Sequence, residues 1–290
     1  MTLVEMLVSI AILSVMILAF SSIMVQSQQF VTLAQSSRRS HATAASIGRV
    51  VRRDLRRASQ NGFLAIISDD GNPLMILTAA GVAYSITDGG AQSTGTGSLI
   101  CYGSCSNNAP NASGSILWRP AYILAGAGTP ETDDVLAYDL SELQSNVNVT
   151  ARTIIDRIKE KCPTDLAVPP EKLEHIEDLW QVLAHGCKHL SIMWTDGTTS
   201  TTGSDTGNLN WYGIGYNNNG TSYVNRSSIA GIEDPNESTG SNYYALWTHE
   251  DQSNWPQAVK VRFQLQNNDL PKNAFGERAF DFEVICNIGQ

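Results

Sequence analysis

Glu5 is the lone charged side chain in residues 1–25, and it stands at the outer end of an apolar run of about bilayer length. An ionised carboxylate beside hydrocarbon costs at least about 2.5–3.5 kcal/mol. The position therefore calls for a counter-charge, and a free α-amino group on a neighbouring copy of the chain is the nearest candidate. Other chemistry-bearing clusters are weaker. His185-Gly186-Cys187-Lys188-His189 sets two imidazoles four residues apart with a thiol between them, the donor types that hold zinc. Read as a helix end, the same residues are explained by cationic histidine against the helix C-terminus, and no metal site is expected there. Asp69-Asp70-Gly71-Asn72 and Asp133-Asp134 offer oxygen ligands to a structural calcium, but they lack the alternating acidic spacing of a dedicated loop. Turn-forming aspartate accounts for both.

Catalytic signatures are missing. The sequence contains no Gly-x-Ser-x-Gly elbow, His-Glu-x-x-His pair, phosphate loop or dinucleotide fingerprint, so neither an enzyme nor a cofactor is expected. Five cysteines occur. In an exported chain they are free to oxidise, and the candidates are a short loop closed by Cys101 and Cys105 and a clip between Cys162 and Cys187 around a helix. Cys286 is then left over.

The elements that position these residues follow from periodicity. From residue 2 to about residue 59 there is no proline, and Gly48 alone interrupts good helix formers, which predicts one long helix. Its first part is apolar all round. Its second part carries Ile47, Val50, Val51, Leu55 and Ala58 at helical spacing, opposite Arg49, Arg52, Arg53, Arg56 and Arg57. The apolar stripe is expected to pack under a sheet. Charge divides the chain in the same way: the first 60 residues carry +5 and the remainder −14, within a formal net charge of −9. A basic stem and an acidic head suit stem-to-head attraction between stacked copies, which sets register more than affinity. The acidic head argues against nucleic acid as a partner.

Beyond the stem, strands are predicted at 63–67, 74–78, 82–86, 99–102, 116–124, 135–140, 191–194, 211–216, 243–247, 258–266 and 279–288, separated by Gly, Asn and Asp turns. Residues 89–98 and 196–207 read as exposed loops. Helices are expected at 153–161 and, with a stripe of Leu173, Ile176, Leu179, Trp180 and Leu183, at 171–189. The fold class is α+β: a long N-terminal helix, residues 1–60, against an antiparallel head, residues 61–290, with an inserted region at about 141–240. That insert is a candidate adhesive or substrate-recognising surface.

The string Thr2-Leu3-Val4-Glu5-Met6-Leu7-Val8 and the apolar residues after it resemble the N-terminus of mature type IV pilins and pseudopilins. The resemblance implies cleavage by prepilin peptidase before Met1, N-methylation of Met1, and pairing of Glu5 with the adjacent subunit's terminal amine, with Thr2 and Leu3 completing the assembly motif. It also implies residence in the inner membrane before assembly. The subunit then joins its own copies in a cell-surface filament or periplasmic pseudopilus, built by an assembly platform with a separate ATPase. Met1 stands where that family most often has Phe, and Ser22 where many members have Pro. The Arg52-Arg53-Asp54-Leu55-Arg56 turn and Trp255-Pro256-Gln257-Ala258-Val259 are similar to patches of J-type minor pseudopilins and W-type minor pilins. This second resemblance implies the alternative of a minor subunit at a filament tip.

Overall fold

The structure, a computed structural model, describes residues 3–69, 72–79, 85–88, 91–94, 97–105, 116–119, 121–125, 135–137, 147–161, 182–201, 206–216, 222–229, 231–234, 240, 242–266 and 279–288. Helix α1, Leu3–Arg56, is continuous over 54 residues, as the proline-free sequence requires. At about 1.5 Å rise per residue it is roughly 80 Å long.

Fifteen strands follow among the described residues: β1 Phe63–Asp69, β2 Asn72–Ala79, β3 Ser85–Asp88, β4 Ala91–Thr94, β5 Gly97–Cys105, β6 Ile116–Trp118, β7 Ala121–Ala125, β8 Val135–Ala137, β9 Val182–His185, β10 Cys187–Thr195, β11 Tyr212–Tyr216, β12 Ser222–Asn225, β13 Tyr243–Thr248, β14 Ala258–Gln266 and β15 Ala279–Asn287. Helix α2 spans Val147–Lys161, and a 3-10 turn, His249–Asn254, precedes β14. Eight strands form one sheet in the order β13-β1-β2-β5-β6-β9, with β7 also paired to β5 and β8 to β7; five form another, β12-β11-β10-β14-β15. Pairing is antiparallel except between β7 and β8. The α+β layout of a long helix against antiparallel sheet is thus the observed one.

Both faces of the eight-stranded sheet are covered, which explains why β1 reads Phe-Leu-Ala-Ile-Ile without a polar residue. Leu64 and Ile66 face one core, shared with α1 and with Ile192, Trp194, Val261 and Phe263 of the second sheet. Phe63, Ala65 and Ile67 face another, closed by Ala151, Ile154, Ile155 and Ile158 of α2. The second sheet has a single covered face along β14, where Val259, Val261, Phe263 and Leu265 are buried and the residues between them are not. That alternation made β14 and β15 legible as neighbours.

Several expectations are corrected. The helix expected at 171–189 gives way to strand from Val182 onward; residues 171–181 lie outside the described residues. Strand β10 carries a register shift between Lys188 and Ser191, with His189 in the left-handed region at φ 51. Of the stripe that suggested the helix, only Leu183 is described, and it stands in β9; the strand state of this stretch comes from pairing with β6 and β14, distant partners that override local spacing. The 89–98 segment, expected as a loop, holds β4 and the start of β5. The single strand expected at 116–124 is two, because the chain leaves the ladder at Arg119. Within 196–207, Thr199 bridges to Leu209 and the amide of Ser200 donates to the carbonyl of Asn208 at 2.8 Å, making a paired hairpin arm. Parts of the expected strands at 82–86 and 135–140 lie outside the described residues.

Candidate functional site: the stem and its junction with the head

Along α1 the environment changes. Eighteen of the 22 large hydrophobic side chains exposed among the described residues lie between Leu3 and Val31. The polar groups of this segment are satisfied within the helix: the Ser14 hydroxyl donates to the Ile10 carbonyl at 2.8 Å and the Thr32 hydroxyl to the Gln28 carbonyl at 3.0 Å. Such back-bonding lets a hydroxyl sit in an apolar surround. Glu5 is placed on the helix backbone; its side chain, with Met1 and Thr2, lies outside the described residues. Leu3 is exposed.

Further on, Ile47, Val51 and Leu55 are buried in the head, as their spacing predicts, with Ala44 beside them; Val50 and Ala58 of the expected stripe are half-buried, and Arg49, Arg52, Arg53, Arg56 and Arg57 are exposed. The helix comes close to β15: a methyl group added at Gly48 would lie 3.3 Å from Cγ2 of Val284. His41 packs its ring 5.2 Å from Phe280 and 5.3 Å from Phe282.

One acid in the arginine-rich turn is buried. Asp54, 1% exposed, accepts at Oδ2 from the Arg119 Nε–H and from the Tyr102 hydroxyl, both at 2.5 Å, and at Oδ1 from Arg53 Nε at 3.2 Å. Arg119 also reaches the Tyr102 hydroxyl oxygen at 3.2 Å. Burial, then the neighbouring Asp54 charge, pushes the Tyr102 phenol far above its usual range. Burial disfavours the Arg119 cation, but the hydrogen bond to Asp54 and the nearby charges outweigh it and hold its pKa above the ordinary value. The cluster ties the end of the stem to β5 and to the β6–β7 corner. In the sequence alone Asp54 is one charge in the stem and one letter of a motif. The usable signal was spacing: Asp54 is three residues after Val51 and seven after Ile47, on the buried stripe rather than among the arginines.

The expected cysteine pairs are not made. Cys101 and Cys105 share strand β5, where four residues span about 13 Å, beyond disulfide reach. Cys187 is a buried free thiol, pushed by burial up to about 12, so the expected clip to Cys162, which lies outside the described residues, is replaced by packing between the sheets. Cys286, left over in the sequence reading, donates weakly to the Arg52 carbonyl at 3.8 Å. His185 and His189 flank a bend between two strands rather than a helix end. Among the described residues no three His, Cys, Asp or Glu side chains converge as a metal site; Asp70, Asp133 and Asp134 lie outside them.

No family model, curated protein or solved structure matches this chain. Function must therefore be argued from the stem, the junction and the head themselves. The long apolar helix can anchor in a membrane by length and composition, since none of its most apolar 18-residue window is buried inside the chain.

Proposed function

We propose that this chain is a structural subunit of a type IV pilus-like filament, held in a helical bundle by the exposed half of α1, with Glu5 paired to the terminal amine of a neighbour. The observation that carries the proposal is the extent of apolar surface left uncovered on α1. From Leu3 to Val31 the helix runs roughly 42 Å at about 1.5 Å per residue, whereas a bilayer core is about 30 Å thick. Phe30, 72% exposed, and Val31 therefore extend past what lipid covers when the helix starts at one membrane face. Neighbouring stems supply the missing surface. Repetition of such a head-to-tail contact gives a fibre rather than a closed ring.

In this reading the subunit is first an inner-membrane protein, cleaved and methylated at Met1 by prepilin peptidase, and then moves into the filament. Exposed Arg49, Arg52, Arg53, Arg56 and Arg57 face acidic heads of adjacent copies and set the stagger. The role is structural rather than catalytic. The subunit repeats along the shaft; the Arg53-Asp54-Leu55-Arg56 turn supports the tip position as the second reading, and abundance in sheared filaments distinguishes the two.

The test is Glu5→Ala in the producing cell. Membrane insertion stays intact while filament incorporation is lost or slowed. Filaments at wild-type yield contradict the pairing. Mass spectrometry of the mature protein adds a second check, with methylated Met1 expected and an unprocessed leader contradicting.

A further inference from the structure

The outer part of the five-stranded sheet carries a cleft unrelated to the stem. An open hollow of about 300 Å³ is lined by Trp211, Tyr223, Lys260 and the amides of Asn208, Asn210 and Asn225, among others. Its walls are built rather than incidental. The Asn225 amide donates to the Trp211 carbonyl at 2.5 Å, and the Asn210 amide donates to the Thr198 hydroxyl at 2.9 Å, so the strand and the hairpin arm are both fixed. Gly215 allows the Tyr223 ring to lie on the neighbouring strand: a Cβ there would come within 2.4 Å of the ring's Cζ. Tyr223 nevertheless stays 44% exposed. It is a seated aromatic platform with surface left over.

Lys260 supplies the charge. Its ammonium lies 4.1 Å from the Trp211 ring centroid, and burial lowers its pKa while Glu283 opposes that change. A ring face accommodates the cation but takes up little of its hydrogen-bonding capacity, since an ammonium has three N–H donors. The amides of Asn208, Asn210 and Asn225 have two donors and an acceptor oxygen each, and the two contacts above engage one donor apiece.

We infer that this cleft binds an acidic saccharide, with a sugar ring stacked on Tyr223, hydroxyls met by the asparagine amides and the sugar carboxylate met by Lys260. Aromatic and amide groups suit the CH face and hydroxyls of a sugar. Among the described residues Lys260 is the one charged residue in the lining, with Arg262 and Glu283, of opposite sign to each other, near it, and a cation so placed favours a carboxylate. The inference stands apart from the filament reading, because the cleft is complete within one chain.

The experiment is calorimetric titration of the full chain, solubilised in a detergent without a sugar headgroup, with trigalacturonate, maltotriose and the sugarless dicarboxylate glutarate. Trigalacturonate is expected to bind saturably, about fivefold tighter than maltotriose, and glutarate not to saturate. Tyr223→Ala weakens both sugars about three- to tenfold, while Lys260→Met brings the two sugars to equal affinity. Asn208→Asp, a surface change that keeps the fold, lowers affinity for trigalacturonate more than for maltotriose. Thermal melting of each variant confirms folding. The inference is overturned by no saturation with either sugar, by maltotriose binding as tightly as trigalacturonate to the unaltered chain, by glutarate matching trigalacturonate, or by folded variants that bind unchanged.

Discussion

The two halves of α1 are one helix by backbone and two different objects by surroundings. Between Leu3 and Val31 the apolar side chains point outward in every direction, and hydroxyls close onto their own helix. Between Ala44 and Leu55 a single stripe is buried and the opposite face carries arginine. The head covers the stripe of the second half and leaves the first half untouched. A substitution in that stripe should therefore be felt by the folded chain alone, whereas one in the first half should be felt only where chains meet. That contrast is what an assembly subunit needs: its fold must not depend on the surface it keeps for partners.

The strongest way to break the contrast is at Asp54. Asp54→Ala strands the Arg119 guanidinium beside a buried phenol, and losing one partner of a buried pair costs about 3–5 kcal/mol. Thermal and chemical denaturation of the full chain in detergent should register that loss. A near-zero effect would mean the stem is not pinned through this residue. Next in size, Leu55→Ala opens a cavity in the shared core and should cost about 2–5 kcal/mol. Leu18→Ala, the same chemistry in the exposed half, should leave the melting temperature unchanged and reduce filament yield instead. Equal destabilisation by both would erase the distinction between the halves.

Smaller changes sharpen it. Tyr102→Phe removes one hydrogen bond to a charged acceptor and should cost about 1.5–3 kcal/mol, with Arg119 keeping Asp54 partnered. The head also has an acid whose burial raises its pKa above the ordinary 4.5, Glu233. It accepts from the Ser227 amide at 2.5 Å and from the Tyr243 hydroxyl at 3.1 Å. A raised acid favours the folded state while protonated, so its contribution is present below about pH 4.5 and declines as pH rises through the folded value. The melting temperature of Glu233→Gln should therefore gain on the unaltered chain over that interval and run parallel to it above. A mutant that falls further behind the unaltered chain as pH rises through this interval would contradict the burial effect.

Much of this architecture could be read from residue order, and the failures have physical causes. The stem was legible because an unbroken run of helix formers admits little else, and its buried stripe because Ile47, Val51 and Leu55 recur at helical spacing. β14 and β15 were legible because one face of their sheet is covered. The stretch from Val182 to His189 was not, because its strand state rests on pairing with β6 and β14, distant partners that local spacing does not name. Asp54 was hidden for a different reason. Its partners Tyr102 and Arg119 lie 48 and 65 residues away, and local periodicity can place a residue on a buried face without naming what meets it there. The aromatic cleft is of the same kind, since its walls come from β10, β12, β14 and the segment from Ser200 to Trp211, much of which read as polar loop.

The central claim is that the exposed half of α1 becomes the interior of a fibre. A helical reconstruction of filaments from the producing cell, with side-chain density for residues 3–31, tests it most directly. The account predicts that these residues are enclosed by neighbouring copies of α1, with the Glu5 carboxylate within hydrogen-bond distance of an adjacent terminal amine. Stems splayed apart in solvent, or a Glu5 that meets no amine, would contradict it.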